Sequence, residues 1–517
     1  MAEFLATVRK VLVVSTTCWL ITAAAPALAR HQEPEAASQQ PTTGNQKPDP
    51  PNDALSPGAR RAYAELLKLR LGACRQLLAT EPAQAPGALL VADCADFVAL
   101  LISQDASRYE ATVEAQSARL ETLDKAPASA LRDYAQAEIR LHLAVSELTF
   151  DHLYRGAWNL RQSYGMFQAA AKKYPAFVPL RKTLGVCQFG IGSLPQGYHL
   201  FLKLVGLGGS VEEGLRNLNL AATQANDFQP ESRIILALIQ ETYYKRPADA
   251  LTLMQRLRQE QPDNLLFNYL YVSLNKRQHY TDAALTAYRA RPTGAAYLPV
   301  PYLHHVAADL LLYQGNYRDS EAENLQFLRE YQGQHYRKDA AFKLYITAWL
   351  SGQTAAAERY RQQINLTGPL VVEEDIYAQH FYHDARHLNP VLTRARFQTD
   401  GGYYTLALKT LQEFRPLPTT PLREQLEAPY RRARVWQGLL RPDSARADYL
   451  RTLRLATSQG QPPYYFAPQS ALQLGYLAQA AGQKAAAKAY FEQAIAYPKH
   501  EYKNSTDQKA KLALKEL

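Results

Sequence analysis

The chain is poor in the residues that usually carry chemistry. Its 517 residues include four Cys, three Met and four Trp. So few thiols exclude a small scaffold stapled by disulfides. There is no C-x-x-C, no H-E-x-x-H and no G-x-S-x-G. His500-Glu501 is followed by Asn504, where a helical zinc motif needs its second His. Asp and Glu pairs are frequent but fall on solvated helix faces, so no catalytic constellation is expected. Sustained period-two alternation is also missing, which excludes a sheet of half-buried strands. Beyond the first 29 residues no apolar run approaches the ~18 residues of a spanning helix. The run IILALI at 234–239 has the length of a buried helix segment. The formal net charge is +10. Its Lys and Arg are interleaved with Asp and Glu, without a basic arm. That pattern reads as a solvated surface and speaks against a nucleic-acid partner.

Residues 1–29 have the form of a secretory signal. Arg9 and Lys10 precede the apolar core VLVVSTTCWLITAAA, and Ala27-Leu28-Ala29 is an A-x-A cleavage site. No lipobox-like Leu-Ala-Gly precedes Cys18. The expectation is an exported chain, periplasmic or secreted, cleaved near Ala29, with no transmembrane segment in the mature form and a possible place at the envelope. Residues 30–55 are rich in Pro, Gln, Thr and Asn, cannot offset ordering entropy by burial, and are expected to be a disordered leader.

The remainder is 47% hydrophobic by the chain average, with 33 Tyr. Ser56-Pro57 is a helix start, a capping hydroxyl followed by Pro at the first helical position. Leu66 to Leu78 continue at helical spacing, TEPAQAPG at 80–87 breaks the run, and a second helix from Leu89 to Leu101 returns. From Ala157 to Ala221 glycines at 185, 190, 192, 197, 206, 208, 209 and 214 interrupt helical text. Ser210 with Glu213 forms a capping box for a helix starting at Val211. A phosphate cradle is the sharper reading of these glycines, but the P-loop Lys, the dinucleotide spacing and a preceding strand are all missing. The division is an N-terminal helical region at 56–228 with this block, then degenerate repeats over 229–517.

The clearest repeat is ALQLGYLAQAAGQKAAAKAYFEQAIAYP at 471–498. It reads as two helices about a turn at Gly482-Gln483, small residues sitting where the helices approach. Ala471-x2-Leu474-Gly475-x2-Ala478, Ala487-x3-Phe491 and Pro498 resemble the tetratricopeptide signature. Ala250-x3-Met254 and Ala445-x3-Tyr449 have the same spacing, and GQTAAA at 352–357 nearly repeats GQKAAA at 482–487. The resemblance implies an all-α, right-handed solenoid of helical hairpins, TPR-like, with a Gly-rich, irregular N-terminal half. STDQKAKLALKEL at 505–517 is expected to cap its end, with Leu512, Leu514 and Leu517 inward. Residues 130–225 are similar to exported tetratricopeptide-type proteins of Bacteroidetes. The matching residues are Tyr174-Pro175, Phe177, Leu184-Gly185, Ile191-Gly192, Pro195, Tyr198, Leu207-Gly208, Ser210 and Gly214. That likeness brings no activity with it.

The implied function is a non-enzymatic scaffold, without cofactor, that binds a protein or peptide on the concave face of the solenoid. Two alternatives stand beside it: binding of an envelope glycan or lipid by the Tyr-rich basic surface, or a metal-dependent enzyme near the histidines of EEDIYAQHFYHDARH. His380, His383 and His387 share one helix face there, although no bound metal is expected. Cys74 and Cys94 lie ten residues either side of Gln84. If the first two helices form a hairpin they stand at one height and are the candidate disulfide. Cys187 is expected to be a buried free thiol.

Overall fold

The computed structural model describes residues 53–194, 202, 206–242, 246–366, 368–384, 388–498, 500–515 and 517. Among them all regular structure is helical: 24 α-helices and one short 3-10 turn at Ala106–Arg108. From Ala130 onward most helices pair into antiparallel hairpins. Such pairs are Ala130–Thr149 with Leu153–Lys173, Pro179–Gly192 with Val211–Thr223, and Leu265–Arg277 with Thr281–Arg289. The series continues with Tyr302–Gln314 and Tyr317–Glu330, Arg337–Leu350 and Thr354–Leu366, Leu422–Gly438 and Pro442–Ser458, and Phe466–Ala480 and Lys484–Ala496.

The small-x3-large spacing in these hairpins is a docking device. Ala250 with Met254, Ala445 with Tyr449 and Ala487 with Phe491 are all completely buried. In each pair the small residue lets a helix approach its partner, and the large one a turn later fills the gap. A fully buried aromatic or Met contributes about 1.5–3 kcal/mol. Gly482 adopts the left-handed conformation that ends the helix before it, and Gln483 N–H returns to the Ala478 carbonyl at 2.9 Å.

The hairpins form an inner and an outer layer. The inner helices Leu265–Arg277, Tyr302–Gln314 and Arg337–Leu350 each bury ten residues, whereas the outer helices Tyr317–Glu330 and Thr354–Leu366 bury three and two. The inner layer is covered because the chain returns upon itself. Tyr313 stacks on Phe397, 6.1 Å between centroids, and the Thr281 hydroxyl donates to the Gly401 carbonyl at 2.8 Å. The beginning of the chain also leaves sequence order: Leu298 N–H donates to the Leu69 carbonyl at 2.8 Å, and Leu69 shares a core with Leu266, Leu270 and Val300.

Four expectations change. Leu55, placed in the leader, is buried, and the Asp53 carboxylate accepts the Ala130 N–H at 2.9 Å at the start of Ala130–Thr149. Those residues belong to the fold because they satisfy an exposed helix terminus and fill an apolar gap. The first helix is not continuous; it ends at Leu67, and Leu69 takes a φ of 61° before Leu71–Leu78 begins. The Leu298 bond to Leu69 holds that break in place. The glycines at 185, 190 and 214 do not interrupt helices but lie inside them. A Cβ on Gly185 would stand 2.8 Å from the Gly214 carbonyl oxygen, and one on Gly214 would stand 2.7 Å from that of Gly185. They mark a backbone-to-backbone helix crossing. Finally, Pro86–Ser103 is long and apolar enough to cross a membrane by length and composition. Its Asp93 is buried in a bond to His142 at 2.7 Å, and Arg119 meets it at 3.1 Å, so here it is a core helix.

The caps fall where the sequence puts them. Ser56 accepts from Ala59 N–H at 3.0 Å and Ser210 from Glu213 N–H at 3.1 Å. The last helix, Lys503–Lys515, differs in its buried face: Thr506, Ala510 and Ala513 point inward, and Leu512, Leu514 and Leu517, expected there, are only half-buried.

Candidate functional site

Two of the three histidines singled out from the sequence fall within the described residues. His380 and His383 lie exposed in Glu373–His383, where the His383 ring meets the Gln379 side chain at 2.7 Å. His387 lies outside the described residues. No three His, Cys, Asp or Glu gather as metal ligands among the described residues. Cys74, Cys94 and Cys187 are free thiols. Cys74 is buried against the first helices, with Arg75 and Asp96 as its charged neighbours. Cys94 lines an internal cavity near Lys182 and Glu138.

That cavity is one of two arrangements the sequence did not announce. It has a volume of about 80 Å³ and lies among the first helices, Ala130–Thr149, Pro179–Gly192 and Gln229–Thr242. Its walls are apolar, with Leu66, Val98, Ile234 and Leu238 beside the rings of Phe97 and Phe228, and His142 also lines it. One end is charged. Lys182 Nζ stands 3.1 Å from Glu138 Oε1 and 3.1 Å from Glu231 Oε2. The hydroxyls of Tyr134 and Thr183 donate to Glu138, and Tyr63 donates to Glu231 at 2.5 Å. The Lys182 ammonium also faces the Phe228 ring, 5.1 Å from its centroid. Burial opposes its charge, but Glu138 and Glu231 more than offset this and hold Lys182 above the ordinary lysine range. Burial likewise pushes the Glu138 carboxyl up, and Lys182 with its hydroxyl donors brings it below the usual value. The lysine is thus held as an ammonium between two carboxylates.

The second arrangement lies in the C-terminal half, on Glu373–His383, Pro390–Asp400 and Leu422–Gly438 and in the turns at 464–465 and 500–502. Arg396 donates to the Tyr377 hydroxyl at 2.8 Å, and Tyr377 stacks on Tyr502 across 6.3 Å. Tyr502 in turn meets Tyr465 edge-on at 5.3 Å. Arg431 donates to Tyr465 and to Glu427, both at 2.8 Å, and Arg423 reaches Glu501 at 3.3 Å. Planar guanidinium forks between phenol rings are suited to carboxylates and backbone carbonyls.

No family model and no curated protein matches this chain. Among solved structures it is similar to yeast Tom70, at 12% identity over 89% of this chain and 88% of that one, with a TM-score of 0.30. It is also similar to the TPR domain of P58(IPK), at 14% identity over 88% of this chain and 98% of that one, with a TM-score of 0.21. The Cut9–Hcn1 assembly of APC/C gives 12% identity over 89% and 97%, again at 0.21.

The fold is TPR-like. Its own hairpins carry that statement, through the buried small-x3-large pairs and the inner and outer layers. A sequence signal for the cavity did exist. Glu138 stands between Ala137 and Ile139 on an apolar helix, and Lys182 shares its helix with Leu180 and Leu184. A charge on a core face needs a partner, but its identity is not a local property.

Proposed function

We propose that this chain is a non-enzymatic scaffold that holds a protein or peptide partner on the inner face of its C-terminal hairpins. The observation supporting this reading is the Arg and Tyr cluster of Arg396, Arg423, Arg431, Tyr377, Tyr465 and Tyr502, built from helices 373–383, 390–400 and 422–438 and the turns at 464–465 and 500–502. Tyr and Arg dominate binding energy at protein interfaces because they offer large, stiff area with hydrogen-bonding ends. Tyr502 is 39% exposed, so part of the cluster is open to a partner. Export belongs to the same reading. Its support is the signal pattern of residues 1–29 and the likeness of residues 130–225 to exported Bacteroidetes proteins.

The test is a crosslinking capture from the envelope fraction of the source cell, followed by binding of the purified partner. The Arg423→Ala/Tyr502→Ala double variant is expected to weaken that binding by about tenfold or more, and Lys488→Ala on an outer helix to leave it unchanged. Equal binding by both variants overturns the placement. N-terminal sequencing of the mature protein is expected to begin at Arg30, and an intact Met1 in the cytosolic fraction overturns export.

A further inference from the structure

Protein interiors are close-packed, and voids larger than a water molecule are few. The N-terminal cavity departs from this in two ways at once. It leaves about 80 Å³ unfilled among Leu66, Val98, Ile234 and Leu238, where one larger side chain would close it. It also places a lysine and two glutamates at one end, with Lys182 4% and Glu138 2% exposed. Buried charges add little stability compared with well-packed apolar residues of the same volume. An apolar pocket with a few convergent polar groups is the usual form of a small-molecule site.

The size and the charged end together define the ligand. A cavity of about 150 Å³ accepts benzene, so this one takes an aliphatic group of roughly three to five carbons. At the charged end a ligand carboxylate would face Glu138 and Glu231, and a ligand ammonium would face Lys182. A neutral hydroxyl avoids both repulsions, since it donates to a carboxylate and accepts from the ammonium. The surrounding phenols of Tyr63 and Tyr134 already satisfy the carboxylates in this manner.

We propose that this cavity is a binding site for a short aliphatic alcohol, its chain among Val98, Ile234 and Leu238 and its hydroxyl at Lys182 and Glu231. The site is separate from the Arg and Tyr face, and neither reading depends on the other.

The experiment is a titration of the full chain with 1-butanol, followed by the methyl NMR signals of Leu, Ile and Val. The Ile234, Leu238 and Val98 methyls are expected to shift saturably, with a dissociation constant on the order of millimolar, and to show contacts to the butanol methyl. Butylammonium and butyrate are expected to bind at least about fivefold more weakly. Val98→Phe fills the cavity and is expected to remove the saturable shift. Because that variant is an overpacked core, the comparison of the three ligands on the wild-type chain stands on its own. A shift that is linear in butanol, or confined to surface methyls, overturns the site. Tighter binding of the ammonium or the carboxylate overturns the assignment of an alcohol.

Discussion

Gly475 lies beneath the ring of Phe491. A Cβ at 475 would stand 2.9 Å from the ring's Cζ and closer still to two other ring carbons. Phe491 is completely buried, so the ring has nowhere to go. Alanine is the better helix former by about 1 kcal/mol, yet the overlap outweighs it. Gly475→Ala is expected to lower stability by about 1–2 kcal/mol net, measured by urea unfolding. A gain in stability would refute the close approach.

The crossing at Gly185 and Gly214 is stricter. There the neighbours of an added Cβ are backbone atoms: the Gly185 carbonyl at 2.7 Å and the Phe189 amide nitrogen. Backbone within a packed helix yields even less than a buried ring. Gly214→Ala is expected to cost more than Gly475→Ala, on the order of 2–4 kcal/mol. Thermal unfolding of both variants side by side checks the ranking.

Asp375 caps a helix other than its own. It is fully buried, and its carboxylate accepts the Tyr336 N–H at 2.7 Å and the Asp339 N–H at 2.9 Å at the start of Arg337–Leu350. Burial nonetheless pushes its carboxyl up to about 6, and pushes that of Glu374 up to about 7. In the unfolded chain both titrate near about 4. The native state therefore binds these protons more tightly, and the stability they contribute is full below about pH 4 and is lost as pH rises through 6 and 7. Asp309 and Asp339 have the opposite sign. Burial raises them, but Lys276 and Lys343 for Asp309, and Lys343 for Asp339, pull them below the usual range. Their contribution is lost only as pH falls below about 4. Urea midpoints are expected to fall between about pH 5 and 7, with a shallower slope in Asp375→Asn. An unchanged slope in that variant would remove Asp375 as a titrating group.

Cys74 and Cys94 are expected to react as separate thiols. Burial pushes the Cys74 thiol up to about 12 and holds the Cys94 thiol well above its ordinary value. Both should resist alkylation in the native protein and react fully after denaturation without reductant. Recovery of a linked Cys74–Cys94 peptide from the protein as purified would overturn this.

What the sequence determined by itself is local. The caps at Ser56 and Ser210, the turn at Gly482, the small-x3-large pairs and the final helix all depend on residues within about one turn of each other, and each is found where the pattern places it. The hairpins follow, because an amphipathic helix must bury one face against a neighbour. The rest was decided by the tertiary structure. Glycine has one signal for two uses, a turn or a close helix crossing, and only the partner helix distinguishes them at Gly185 and Gly214. Glu138, Lys182 and Glu231 are more than forty residues apart from one another, as are Tyr377 and Tyr502. Whether such residues meet depends on the small rotation from each hairpin to the next, summed along the chain. No local spacing encodes that sum, so the cavity and the Arg and Tyr cluster appear only in the tertiary structure.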